Sequence, residues 1–82
     1  MDSIKLHILS PESTVADIMV EAVWLPGVQS PFEVLKDHAA VLTALDKGEI
    51  RWRNASGEDS VQIRGGFVEV GNNEVKACVE LC

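Results

Sequence analysis

Apolar side chains recur at every second position over most of the chain, the period of a β-strand with one face buried. Ile4, Leu6 and Ile8 alternate with Lys5 and His7 until Ser10-Pro11-Glu12-Ser13 breaks the run. A second strand follows, with Ile18, Val20, Ala22 and Trp24 predicted on one face and Asp17, Met19, Glu21, Val23 and Leu25 on the other. Its far end is apolar on both faces, which predicts entry between two layers. Leu25-Pro26-Gly27 then forces a turn, because proline fixes φ and glycine accepts positive φ.

From Gly48 onward the pattern predicts two hairpins. Ile50 and Trp52 alternate with Glu49, Arg51 and Arg53, Asn54 to Asp59 is a polar turn region, and Val61 and Ile63 return with the same period. Gly65-Gly66 resets the chain before Phe67 to Val70, and Gly71-Asn72-Asn73-Glu74 carries the residue types of a tight hairpin turn. The last strand puts Val75, Ala77, Val79 and Leu81 on one face and Lys76, Cys78, Glu80 and Cys82 on the other. Between Asp37 and Leu45 the pattern fits a short capped helix and a strand equally well. Short strands at regular spacing favour one all-β domain, a compact sandwich or flattened barrel.

Composition narrows the function. The 82 residues carry seven basic and thirteen acidic side chains, a net charge of −6 at pH 7. Scattered basic residues in an acidic chain disfavour a nucleic-acid surface, which needs clustered Lys and Arg to displace counterions from phosphates. No apolar run approaches the ~20 residues of a bilayer helix, and Met1-Asp2-Ser3-Ile4-Lys5 lacks the features of a signal peptide, so a soluble, unexported domain is expected.

The candidate chemistry is thin. Cys78 and Cys82 on one strand face would lie ~13 Å apart at ~3.3 Å per residue, beyond the ~7 Å a disulfide spans, so free thiols are expected. His7 and His38 lack the paired spacing of metal ligands, and neither a metal nor a cofactor is expected. Asp37-His38 invites a hydrolase reading, but neighbours on an extended chain point to opposite faces and no nucleophile elbow is present. Gly65-Gly66 lies between strands and opens no helix, so it fits a bulge or close backbone approach better than a phosphate cradle. Asn54-Ala55-Ser56 matches a glycosylation acceptor only in pattern. A domain that works by protein contact is the outcome.

Three blocks carry the reading further: Leu25-Pro26-Gly27; His38 to Leu45 with Lys47-Gly48; and Gly65-Gly66-Phe67-Val68-Glu69-Val70. In this order, with Ser10-Pro11-Glu12 before them and Glu74-Val75-Lys76-Ala77 after, they resemble the epsilon subunit of F-type ATP synthases over nearly the whole chain. The resemblance implies a ten-stranded flattened β-sandwich, the amino-terminal domain of that subunit, with the segment Asp37 to Leu45 as strand. It also implies a non-catalytic rotor subunit of a proton-translocating synthase, at the cytoplasmic face of a bacterial plasma membrane. Such subunits bind the gamma subunit of the central stalk and rest on the c ring.

By the same resemblance, gamma contacts fall on Ser10, His38, Ala39, Ala40, Val41, Leu42 and Thr43, and c-ring contacts on Val28, Gln29, Ser30, Pro31, Phe32 and Glu33. Strand alternation requires one of Val41 and Leu42 to face inward. The family's loop in this region is rich in glycine and proline, whereas here Ser30, Glu33, Lys36, Asp37 and Ala40 replace those residues, so positive φ at Glu33 or Asp37 would be costly. The helical hairpin of longer members, which restrains ATP hydrolysis, is expected to be absent from this single domain. Weak self-association through the uncovered patch is expected as well. The alternative is a free-standing β-sandwich adaptor or ligand-binding module that shares only the fold.

Overall fold

Two-residue alternation becomes hydrogen-bonded ladder along most of the chain, and the computed structural model describes residues 1–82. The strands are β1 (Ile4–Leu9), β2 (Thr14–Val20), β3 (Ala22–Leu25), β4 (Phe32–Val34), β5 (Val41–Leu45), β6 (Gly48–Asn54), β7 (Gly57–Gly71) and β8 (Glu74–Leu81). Their order is β2-β1-β8-β7-β6-β3-β4, with β5 also on β7; β1 and β8 run parallel and the other pairs antiparallel. The carboxyl-terminal part of β7 pairs with β8 and β5, and its amino-terminal part with β6. One long strand therefore belongs to both layers, and the sheet folds over along it.

The inner faces meet in one cluster. Ile4, Leu6, Ile8, Val68, Val70, Val75, Ala77 and Val79 come from one layer, and Val23, Leu25, Val34, Ile50 and Trp52 from the other. Every one of these side chains is buried, and no charged or polar side chain is buried among them. Apolar burial on this scale is the main favourable contribution to folding.

The all-β sandwich expected from the sequence is present, with three differences in detail. Eight strands form where the resemblance implies ten, in part because the chain does not divide at Gly65-Gly66 but runs on as β7. The sheet is also not closed into a barrel, since β2 and β4 end the strand order as edges. The third difference lies at Glu21. Val20 is buried while Ile18, on the same strand face, is 37% exposed; Glu21 is a bend whose N–H donates to the Arg53 carbonyl at 2.9 Å, and the strand phase inverts there. Val23 and Leu25 point inward instead, and Trp24 turns outward with the Arg51 guanidinium 4.3 Å above its ring. A chain crossing between layers must change which parity faces the core.

Both predicted hairpins form, the first with a tighter turn than the polar stretch Asn54 to Asp59, because Gly57, Glu58 and Asp59 already pair in β7. The Ser56 N–H donates to Asn54 Oδ1 at 2.9 Å at the first hairpin, and Asn72 and Asn73 adopt φ of 53° and 59° at the second. Two successive positive φ values match the right-handed twist of the strands they join. Of the segment with two possible forms, Asp37 to Leu45, only Val41–Leu45 is strand; Asp37 lies in a turn and residues 38–40 have no regular structure.

Candidate functional site

β5 settles the orientation that alternation left open. Val41 is half-buried and packs on the core, whereas Leu42 is 73% exposed. Thr43 returns to the inner side, and Ala44 again points out. Register carries this outer face across the sheet, because Ala44 lies opposite Phe67, Phe67 opposite Cys78, and Cys78 opposite Leu9. Four strands at ~4.8 Å spacing make this apolar row roughly 14 Å long. Phe67 is 53% exposed within it.

The row ends in an open groove of about 440 Å³ between the β1–β2 turn and strands β7 and β8. Leu9, Ser10, Pro11, Phe67, Cys78 and Val79 line it. Ser10 is fixed there by its own turn, where its N–H donates to the Ser13 carbonyl at 2.9 Å. The structure thus brings Ser10 and Leu42 to one face, although 32 positions separate them. His38, Ala39 and Ala40 have no regular structure and lead from the turn at Asp37 into β5.

The Val28 to Glu33 segment starts as a tight loop. A Cβ on Gly27 would lie 2.7 Å from the Ser30 carbonyl oxygen, so only glycine lets the backbone turn this closely. Val28, Gln29, Ser30 and Pro31 are exposed. Phe32 and Glu33 depart from a simple exposed loop, because they belong to β4, where pairing with Leu25 and Trp24 holds them. Phe32 is half-buried against the core, and its ring lies 6.3 Å from that of His38. Gln29, Ser30, Phe32, His38, Val41 and Thr43 share one cleft of about 220 Å³. The two contact segments named from the sequence therefore adjoin each other.

The electrostatics supply binding surface and no reactive pair. His38 Nδ1 lies 2.7 Å from the Ala39 carbonyl oxygen, while the Asp37 carboxylate accepts from Asn73 Nδ2 at 3.1 Å. An Asp37–His38 couple is not formed. Lys5 and His7 meet Asp17 at 3.1 and 3.5 Å on the outer face of β1 and β2, and His7 also reaches Glu74 at 3.4 Å. Across the molecule the Arg53 Nε–H donates to Glu21 at 2.6 Å, and this hydrogen bond holds the Glu21 carboxyl below its ordinary range. Cys78 and Cys82 are both free thiols.

Four residues of the exposed row, Leu9, Ala44, Phe67 and Cys78, lie outside the set named from the sequence. Alternation carried the signal, since placing Val68, Val70, Ala77 and Val79 inside forces Phe67 and Cys78 outside. Only the long-range register shows that they are neighbours.

The comparisons with known proteins agree with this architecture. The family model described as the ATP synthase, Delta/Epsilon chain, beta-sandwich domain matches residues 3–81. An ATP synthase epsilon chain of Prochloron didemni is 42% identical over 77 residues, covering 94% of this chain and 57% of the relative. One from Carboxydothermus hydrogenoformans is 38% identical over 74 residues, covering 90% of this chain and 55% of the relative. The chain thus spans little more than half the length of the curated relatives it matches. Among solved structures, a chain of the Euglena gracilis mitochondrial ATP synthase superposes with a TM-score of 0.87 at 21% identity, over 96% of this chain and 51% of that one. A chain from the central stalk and c-ring structure of the Tetrahymena thermophila mitochondrial ATP synthase gives 0.77 at 18% identity, over 95% and 63%. With the family pattern matched from end to end, the chain belongs to the ATP synthase delta/epsilon β-sandwich family.

Proposed function

We propose that this domain is a non-catalytic rotor subunit of a proton-translocating F-type ATP synthase, binding the gamma subunit on one surface and resting on the c ring with another. The gamma surface comprises Ser10, His38, Ala39, Ala40, Val41, Leu42 and Thr43, enlarged by Leu9, Ala44, Phe67 and Cys78. The ring surface is Val28 to Glu33. In this role the domain sits at the cytoplasmic face of a bacterial plasma membrane, and the helical hairpin that restrains hydrolysis is not among its 82 residues.

The observation that carries the proposal is the apolar register row of Ala44, Phe67, Cys78 and Leu9, with exposed Leu42 beside it on the next row, opposite Glu69. A row of this kind with charged neighbours has the anatomy of an interface centre with a polar rim. Glu69 and Lys76 flank it on the adjoining register row, and Glu80 flanks it on the other side.

Titration calorimetry of the chain against its cognate gamma subunit tests the proposal. One-to-one binding that Leu42→Asp abolishes is the expected result. Absence of binding between two folded proteins would refute it, leaving an adaptor that shares only the family's architecture.

A further inference from the structure

The segment between the two contact surfaces is a tight turn, and its third residue occupies backbone space that favours glycine. The His38 N–H donates to the Leu35 carbonyl at 3.1 Å, closing the turn, and Asp37 has φ of 64°. Turns of this form place glycine or asparagine at the third position, because a Cβ is strained there. The strain at Asp37 is met from a distant hairpin. The Asp37 N–H donates to Asn73 Oδ1 at 2.6 Å, and Asn73 Nδ2 donates back to Asp37 Oδ1 at 3.1 Å. Asn73 is itself held on both sides, since it is one of the two positive-φ residues of the β7–β8 turn and its carbonyl accepts the Lys5 N–H at 2.9 Å.

We propose that Asn73 is a positioning residue for partner binding: its carboxamide brackets the Asp37 turn and so fixes the gamma segment and the ring segment relative to each other. The role rests on the rotor reading above. Without the bracket, residues 35–40 keep the closing hydrogen bond of the turn, the Phe32–His38 contact and the local His38–Ala39 hydrogen bond, none of which ties the segment to the β7–β8 hairpin. A segment that must order itself on binding loses affinity by the ordering cost. Asn73 touches neither partner on this view and acts through Asp37 alone.

The two side chains permit a test by exchange. Asn73→Asp keeps an acceptor for the Asp37 N–H but loses the returning donor and sets two carboxylates against each other. Adding Asp37→Asn restores both hydrogen bonds with the amide and carboxylate interchanged, and Asn and Asp both tolerate positive φ. Affinity for gamma is expected to fall about tenfold in Asn73→Asp, the loss of roughly one hydrogen bond plus repulsion, and to return in the double variant. Amide exchange at residue 37 should rise and return in parallel, while the urea midpoint shifts only by the small amount that one exposed hydrogen bond contributes and the fold stays intact.

Asn73→Gly, which preserves the hairpin's positive φ and removes the carboxamide, should match the weak single variant. Wild-type binding that neither Asn73→Asp nor Asn73→Gly weakens, with exchange at residue 37 raised, overturns the positioning role alone. A wild-type chain that binds neither gamma nor the ring overturns the rotor reading itself, and the positioning role with it.

Discussion

Gly66 lies against the carbonyl of Cys78 so closely that a Cβ at this position would overlap the carbonyl oxygen and crowd the Val79 Cα. Its φ of 152° is also one that L side chains rarely adopt. Both groups are backbone, so neither can move aside without breaking the β7–β8 ladder. Gly66→Ala is therefore expected to destabilise the domain by about 3 kcal/mol or more, combining backbone strain with a steric clash. Gly71→Ala is the control, because its Cβ would meet only the Ala40 Cβ at an ordinary 3.9 Å. Urea denaturation of both variants checks the difference, and equal midpoints would contradict it.

Outer and inner positions of the same paired strands should separate binding from stability. Leu42 is 73% exposed, so Leu42→Ser is expected to change stability by under about 0.5 kcal/mol while weakening the interaction with gamma. Val68 is wholly buried, and Val68→Ala should cost roughly 2 kcal/mol through lost burial and an incompletely closed cavity. Denaturation midpoints of the two variants, measured beside their gamma affinities, decide whether the faces divide in this way.

Most of the core was legible because period-two patterning directly encodes which side chains face inward. It worked for β1 and for β8 as far as Val79, where one strand parity is buried, while Leu81 at the end of β8 is exposed. It failed at Glu21, where a bend held by the Arg53 carbonyl inverts the parity, and at Phe32, which reads as loop until its pairing with Leu25 is known. The contact surfaces were legible only in part for the same reason. Leu42 belongs to a local pattern, but the row beside it, Ala44, Phe67 and Cys78, is set by register between strands distant in sequence, and Asp37 meets Asn73 across 36 positions.

Acid should loosen the junction between the layers through Glu21. Its hydrogen bond from Arg53 lowers the carboxyl below the ordinary 4.5, against a smaller opposing effect of burial, and the amino terminus 3.6 Å away assists. A carboxylate depressed in the folded state contributes stability above its unfolded value, and that contribution disappears as pH falls through the folded value. Glu21→Gln should therefore flatten the decline in urea midpoint below about pH 4.5, the unfolded range of a glutamate, and leave its slope near neutrality unchanged. An identical acid limb in both proteins would exclude this role.

Cys78 offers a direct report on the proposed gamma surface, because its thiol is half-buried in the floor of the row between Phe67 and Leu9. Cys82 is exposed beyond the end of β8, so Cys82→Ser leaves a single thiol for labelling. In the free domain that thiol should react slowly but to completion with a maleimide. Bound gamma covers it, and the rate should then follow the unbound fraction, falling about a hundredfold when gamma is present at 100 times its dissociation constant. The c ring contacts Val28 to Glu33 in this scheme, a segment that does not line the groove at Cys78, so ring binding alone should leave the rate unchanged. Labelling that gamma fails to slow, under conditions where calorimetry shows a complex, would move the gamma surface off this row and onto another face of the sandwich.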